Sequence, residues 1–485
     1  MVTFQDFQKA TDKTAFVLYA INRHKGEDAY KIAVDADLYD RQKNVTINEY
    51  VQRMFTLTGV AVEDFTASNN KISSNFFHRL NTQRCTYSLG NGVTFADDKD
   101  GEIKSKLGIK FDTDLFNAGY YALIHGVCFG FWNSNRLYVF PLTEFVPMWD
   151  EVDGTLKAGI RFWQISKDKP MSAVLYEVDG YTRYTSYDDE KGQTSLREEE
   201  PKRAYKIKIA HTDAGDDEVV GAENYSSLPV VPLWGSRLRQ STLVGMRQSI
   251  DSYDLIRSGF ANDLTDCAEI YWMISNCGGM SDEDLQRFRD RMKINHIVEV
   301  PEDAGANVTP YTQDIPYNAR QVYLDMIRSG IYEDFGGLDV HSVEAGSTND
   351  HLDAAYQPMD ENADDFEYQI IEFVQQILAL LGIENTPVFK RNRISNVKEQ
   401  VELVLMESDY LDDETILNKL PNITPDEVEK IRQSKEAEAA RTMDMMTEDE
   451  AETGEEYTGA DVEAESQVDI SQMFMEMLDG LSEDL

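Results

Sequence analysis

Positive charge is scarce in this sequence: 46 Lys and Arg stand against 88 Asp and Glu, a formal net charge of −42. Phosphate binding rests on Lys and Arg neutralising backbone charge, so a protein that coats nucleic acid is excluded, and any contact with DNA must be local or weak. Cysteine is scarce as well. Cys85, Cys128, Cys267 and Cys277 form no CxxC pair, which leaves buried free thiols as the plain reading. The seven histidines are scattered, and although His341 and His351 lie close in sequence, no further ligands suggest themselves for a shared metal. No run approaches the ~20 apolar residues of a membrane span. Met1 to Ala10 is polar and carries acid, unlike a signal peptide. The expectation is a soluble intracellular product with no membrane partner.

Motifs that carry catalysis are missing too. There is no G-x-x-x-x-G-K-[ST], so a P-loop ATPase, a packaging motor included, is not supported. Neither H-E-x-x-H nor G-x-S-x-G occurs. The acidic run Asp97 to Glu102 fails as a calcium loop, because counting from Gly101 as the sixth position puts Ala96 first and Leu107 twelfth, where acids are required. No catalytic residue, metal or cofactor is expected.

What is present is an ordinary apolar content, 41% hydrophobic and 11% aromatic, over 485 residues, enough for about two to four domains with sizeable cores. From Ser241, Leu243, Met246, Ile250, Tyr253, Ile256 or Arg257, Phe260 and Leu264 recur three or four residues apart and predict a helix with one apolar stripe. A compact mixed segment, Asp266 to Pro316, holds Ile270 to Ile274 as strand, Ser281 to Lys293 as helix and His296 to Val300 as strand. A second helical pattern runs from Asn318 to Phe335, with Val322, Tyr323, Met326, Ile327, Ile331 and Tyr332 on one side, and Gly336-Gly337 ends it. Leu338 to Asp350 has no hydrophobic periodicity and no Lys or Arg. A long helix from about His351 to Leu381 follows, with an interruption and kink expected at Pro358.

Ordered motifs surround this centre. Residues 1–44 read as an amphipathic arm, either docked on its own chain or reaching a neighbour. An Asn-rich stretch and helix, Asn69 to Leu89, lead to Gly90-Asn91-Gly92-Val93-Thr94-Phe95. Phe111 to Trp132 predicts a helix turning into a strand, with a return strand at Arg136 to Phe140. A meander follows from Gly159 to Tyr187, then a strand from Ala204 to Ala210 and an acidic loop from Thr212 to Asn224. Leu228-Pro229-Val230-Val231-Pro232-Leu233 enters the first long helix, which contains Ile250, Asp251, Tyr253, Asp254 and Asn262-Asp263. Further on stand Val388 to Asn396, then Glu414-Thr415-Ile416-Leu417 and Leu420-Pro421-Asn422-Ile423, and lastly an acidic tail.

In this order the chain resembles a tailed double-stranded-DNA bacteriophage portal protein, the head-to-tail connector of the siphophage type. The resemblance covers about residues 30 to 435; Gly92 stands where that family usually has proline. It implies an α+β portal fold: N-terminal arm (1–44), α/β wing (45–235), stem helices (236–265 and 317–336), and a small α/β clip (266–316). It further implies a tunnel loop (337–350), a long kinked helix completing the wing (351–397) and an α-helical crown (398–440). The tail (441–485) is too acidic and polar to order itself. The implied tunnel loop presents Asp339, His341, Glu344, Ser347, Thr348, Asn349 and Asp350 to DNA. Arg287, Arg289, Arg291 and Lys293 form the densest basic group of the chain. They are read either as a solvated helix face or as a contact for terminase, adaptor or DNA. Pro358 marks the helix kink.

The implied function is that of a ring, a dodecamer in this family, at one capsid vertex of the virion, assembled in the host cytoplasm. Double-stranded DNA is packaged through it by a terminase and later ejected. Implied partners are further copies of the chain, the terminase large subunit, head-tail adaptors, major capsid and scaffolding proteins, and DNA bound without sequence specificity. The rival classes are another head-tail structural ring or a DNA-processing enzyme.

Overall fold

Thr3 and Asp6 cap each other's backbone to start the helix Phe4–Lys9 (α1), and Asp12 accepts from the Ala15 amide to start Lys13–Lys25 (α2). With Asp28–Asp40 (α3) and the short Val45–Glu49 (α4) these helices open the computed structural model. The structure describes residues 1–55, 59–64, 67–96, 98, 101–188, 194–211, 217–266, 271–275, 307–311, 317–339 and 349–393, with isolated positions 283, 286, 287, 401, 404 and 406. Two compact units divide the chain, Met1–Ala345 with Asp350–Ile394 and Gly346–Asn349 with Ser395–Leu485. The first carries almost all the described residues and is the one treated below.

This unit mixes helix and sheet. Strands Phe145–Trp149 (β6), Leu156–Trp163 (β7), Ser172–Glu177 (β8), Gly180–Asp188 (β9) and Thr194–Arg203 (β10) form an antiparallel meander in the order β10-β9-β8-β7-β6. Its residues alternate between two apolar layers, as the pleat requires. Ala158, Ile160, Phe162, Ala173, Leu175 and Tyr184 pack against Phe7, Val17, Ala20 and Ile21 of the N-terminal helices. The apolar positions of the N-terminal segment are thus docked on its own chain. Val174 and Tyr176, on the opposite face, meet Phe129, Phe140 and Phe145.

Phe129 and Phe140 belong to a second, three-stranded sheet. It joins Val127–Asn133 (β4), Arg136–Pro141 (β5) and Val230–Trp234 (β13) in the order β13-β4-β5. The helix Phe111–His125 (α7) lies on it together with the second half of a long helix, Asn349–Leu380. Leu115, Ala118, Ala122 and Leu123 from one and Phe366, Ile370, Phe373, Val374, Ile377 and Leu378 from the other surround the fully buried Cys128, Trp132 and Leu233. Cys85 and Cys128 are free and buried, and burial pushes both thiols well above their usual range; Cys267 and Cys277 lie outside the described residues.

Gly130 permits this packing. A Cβ there would sit 2.4 Å from Cζ of Phe373 and 2.9 Å from Cδ1 of Leu137. Gly130→Ala is therefore expected to lower stability by about 1–3 kcal/mol, read from the denaturation midpoint, because a close-packed ring has no room to yield.

One expectation is corrected. The acidic stretch read as a loop from Thr212 to Asn224 contains a strand, Asp217–Glu223 (β12), paired antiparallel with Lys206–His211 (β11). Its acids and glycine resemble a loop, but the register Lys206 opposite Glu223 sets unlike charges across the pair.

Candidate functional site

Leu243–Asp266 (α8) and Tyr317–Phe335 (α9) pack along each other. Leu243, Met246 and Ile250, early in α8, share a cluster with Ile331, Tyr332 and Phe335, late in α9. At the other end Arg320 forms an ion pair with Asp263 and lies over the Phe260 ring. The two helices are therefore antiparallel. Beyond α8 and before α9 in sequence, Tyr271–Ser275 (β14) and Asn307–Tyr311 (β15) pair antiparallel, closing a hairpin with a ribbon between its arms.

The apolar side of α9 splits in two. Ile331, Tyr332 and Phe335 are buried in the hairpin's base, whereas Val322 is 69% and Met326 60% exposed, with Tyr317 and Tyr323 exposed beside them. A helix whose apolar residues continue onto an open face is not satisfied within one chain.

Three polar residues of α8 tie the hairpin to the N-terminal part. Asp254, Ser258 and Asn262 are all buried, and each accepts a backbone amide from one extended segment. Ser74 N donates to Asp254 Oδ1 at 2.9 Å, Ile72 N to Ser258 Oγ at 3.0 Å, and Asn70 N to Asn262 Oδ1 at 2.6 Å. Every fourth helical residue advances about 6 Å, and every second extended residue about 6.6 Å, so the two repeats run in step. Asn44 Nδ2 also donates to Asp254, and Thr46 Oγ1 donates to Asp251 at 2.6 Å. Burial raises the Asp254 carboxyl above its ordinary value, against the hydrogen bonds it accepts. Asp251, Asp254 and Asn262 stood in the sequence motif, but nothing local identified the partner some 190 residues away.

The loop after α9 starts from a fixed point. Gly336 adopts a left-handed φ of +65° that ends the helix. Gln83 grips the Leu338 backbone from both sides, Nε2 donating to its carbonyl at 3.0 Å and Oε1 accepting from its amide at 3.2 Å. Asp339 is bound by Arg328 Nη2 at 2.8 and 3.0 Å, so this carboxylate is neutralised from within the chain. His341, Glu344, Ser347 and Thr348 lie outside the described residues. Asn349 and Asp350 are the first residues of the long helix Asn349–Leu380 (α10).

The interruption expected at Pro358 is not found: α10 runs through it without a break. Ala354, whose carbonyl loses its donor, and Pro358 are both exposed, while Leu352, Tyr356, Met359 and Ala363 are buried on the other side. Water can reach the freed carbonyl, and packing on both sides of the proline holds the helix together.

An acidic stripe on α10 meets two arginines from the segment after Pro387–Phe389 (β16). Arg391 binds Glu367 at 2.9 and 3.0 Å, Asp360 at 2.9 Å, and Asp364. Arg393 binds Asp353 at 3.0 Å, Asp360, and the Tyr87 hydroxyl at 2.8 Å. Against the burial that would raise it, hydrogen bonds from Arg393 and Tyr87 hold the Asp360 carboxyl below its usual range. The Asn392 amide donates to Tyr87 O at 2.9 Å and reports on this clamp. A chain with Arg391→Ala and Arg393→Ala is expected to exchange that amide at least about tenfold faster, because the segment then opens without global unfolding. An unchanged rate would show that the arginines do not hold it.

Of the basic group, Arg287 is in helical conformation and exposed; Arg289, Arg291 and Lys293 lie outside the described residues. Among the described residues no group of three or more His, Cys, Asp or Glu is arranged to hold a metal, and no helix is long and apolar enough to cross a membrane.

Comparison with known proteins bears on this arrangement. The family described as phage portal protein, SPP1 Gp6-like, matches residues 20–441. A portal protein of Clostridium phage phiCD119 is 22% identical over 408 residues, covering 78% of this chain and 87% of its own length. A portal protein of Bacillus phage SPP1 is 21% identical over 383 residues, 72% of each. A match over this much of the chain places it: the protein belongs to the phage portal protein family of the SPP1 Gp6-like kind.

Proposed function

We propose that copies of this chain stand side by side as a ring-shaped channel, of about twelve subunits, at one capsid vertex. Viral double-stranded DNA is packaged through it by a terminase and later leaves through it. The same ring serves as a docking platform for terminase and head-tail adaptors. The observation that carries this reading is the open apolar face of α9, where Val322 and Met326 are largely uncovered among the described residues. A neighbouring copy covers it at low cost, because both surfaces are already ordered.

The net charge of −42 fits a channel that DNA must traverse without adhering, since adhesion scales with the phosphates neutralised. Within the expected tunnel loop the roles divide. Asp339, held by Arg328, anchors the loop, and Glu344 and Asp350 supply negative charge toward DNA. Pro358 is the point at which α10 bends if the loop moves, and the exposed Arg287 belongs to the surface offered to terminase or adaptor. Replacing Glu344 and Asp350 by lysine, with Asp339 left intact, is expected to slow or stall packaging. Packaging at the native rate by such particles contradicts the sliding role. The alternative, another head-tail ring protein, is expected to lack the hairpin with its following long helix.

A further inference from the structure

A cleft of about 400 Å³ opens where the five-stranded sheet parts from the three-stranded one. Its inner wall is an aromatic seam: Phe131 lies 4.9 Å from Tyr176, and Tyr181 5.8 Å from Tyr205, centroid to centroid. Several of its polar groups are donors without a hydrogen-bonded acceptor among the described residues. The Arg161 guanidinium is stacked 4.3 Å from the Phe140 centroid and 4.7 Å from that of Trp163, which fixes its plane. It makes no hydrogen bond among the described residues; Nε is buried without a partner, and Glu144 stands 3.6 Å from Nη2. Arg183 is exposed over Tyr181 and has no carboxylate partner among the described residues.

The Tyr176 hydroxyl likewise makes no hydrogen bond there. Burial pushes its pKa up to about 12, while the charges of Arg161 and Arg183 pull the other way. The rim adds the Asn133 amide and the Ser172 hydroxyl, neither hydrogen-bonded among the described residues. Glu199 at the edge is engaged by the Thr185 hydroxyl. In a chain with nearly two acids for each base, two arginines left without hydrogen-bonded acceptors form a distinct feature.

We propose that this cleft is a docking site for an acidic peptide segment of a partner protein. A carboxylate of the segment is held by Arg161, Arg183 and the Tyr176 hydroxyl, an adjacent aromatic or branched apolar side chain fills the aromatic seam, and Asn133 and Ser172 bond its backbone. Guanidinium groups suit a carboxylate because they donate two parallel bonds. A long polyphosphate is repelled by the rest of the chain, which a short segment avoids. The site requires no ring, so its failure leaves the channel reading untouched.

The test uses the full chain and a fluorescein-labelled peptide Gly-Asp-Phe-Glu-Asp-Gly, followed by anisotropy. The expected dissociation constant is on the order of 10–100 μM. Arg183→Gln should weaken binding about tenfold, the cost of one charge-assisted hydrogen bond. Ser172→Glu, which sets a carboxylate in the mouth, should abolish it. Equal melting temperatures establish that the variants fold. Three results each overturn the proposal: equal binding of Gly-Asn-Phe-Gln-Asn-Gly or Gly-Asp-Ala-Glu-Asp-Gly, tighter binding of a thymidine hexanucleotide, or an Arg183→Gln variant that binds as the native chain does.

Discussion

A chain carrying Val322→Asp and Met326→Asp is expected to fold normally and to remain a single subunit where the native chain assembles. Both side chains are mostly exposed in the isolated protein, so their replacement removes little internal contact and the melting temperature should change little. In the proposed ring, each would be buried against the neighbouring copy. Burying one such side chain contributes about 1.5–3 kcal/mol, and the pair about 3–6 kcal/mol for every subunit contact. That corresponds to a loss on the order of a hundredfold to ten-thousandfold in association per contact, before the cost of burying two carboxylates is added. Sedimentation of the two proteins side by side decides the matter. Assembly of the variant at native concentrations would mean that this face of α9 looks elsewhere.

The second large effect is internal. Asp254→Ala should cost about 3 kcal/mol, because Ser74 N and one Asn44 donor are left in a buried site without an acceptor. Asp254→Asn keeps one side-chain oxygen as an acceptor and should cost less. The difference between native and Asp254→Asn also has a sign in pH. The folded carboxyl's pKa is raised by burial, so the group's contribution is full below the unfolded value and declines as pH rises through the folded one. The balance should therefore move toward Asp254→Asn as pH rises above the ordinary carboxylate value of about 4, measured as the shift in denaturation midpoint. Equal losses for alanine and asparagine would show that the charge, not the acceptor, holds the segment Asn70 to Ser74.

The sequence disclosed what is periodic. The stripes of α8 and α9, the glycines after α9, the turn at Asn133 to Asn135 and the meander from β7 to β9 are local patterns, and each is present. What it withheld is set by encounters between distant segments. Nothing near Asp254, Ser258 and Asn262 announces that residues 70 to 74 lie along them. Asp339 read as an open charge because Arg328, its partner, sits in the preceding helix. Arg391 and Arg393 stood in the stretch Val388 to Asn396 with nothing local to show that they lie along the carboxylates of α10. The β12 strand was hidden by its acids and glycine, whose turn character yields to pairing with β11. The N-terminal helices left two readings open, and burial of Val17, Ala20 and Ile21 against the meander shows the docked one. Family membership was legible because the motif order survives where pairwise identity is only 21–22%.

The central claim is that these hairpins are built to stand against copies of themselves around an open centre. Single-particle mass measurement of the full chain tests it most directly. Particles near twelve times the 55.3 kDa subunit mass, with a visible central hole and lost in the Val322→Asp, Met326→Asp variant, are the predicted result. Native protein that stays at one subunit's mass at every concentration, or closed particles without a hole, would contradict it.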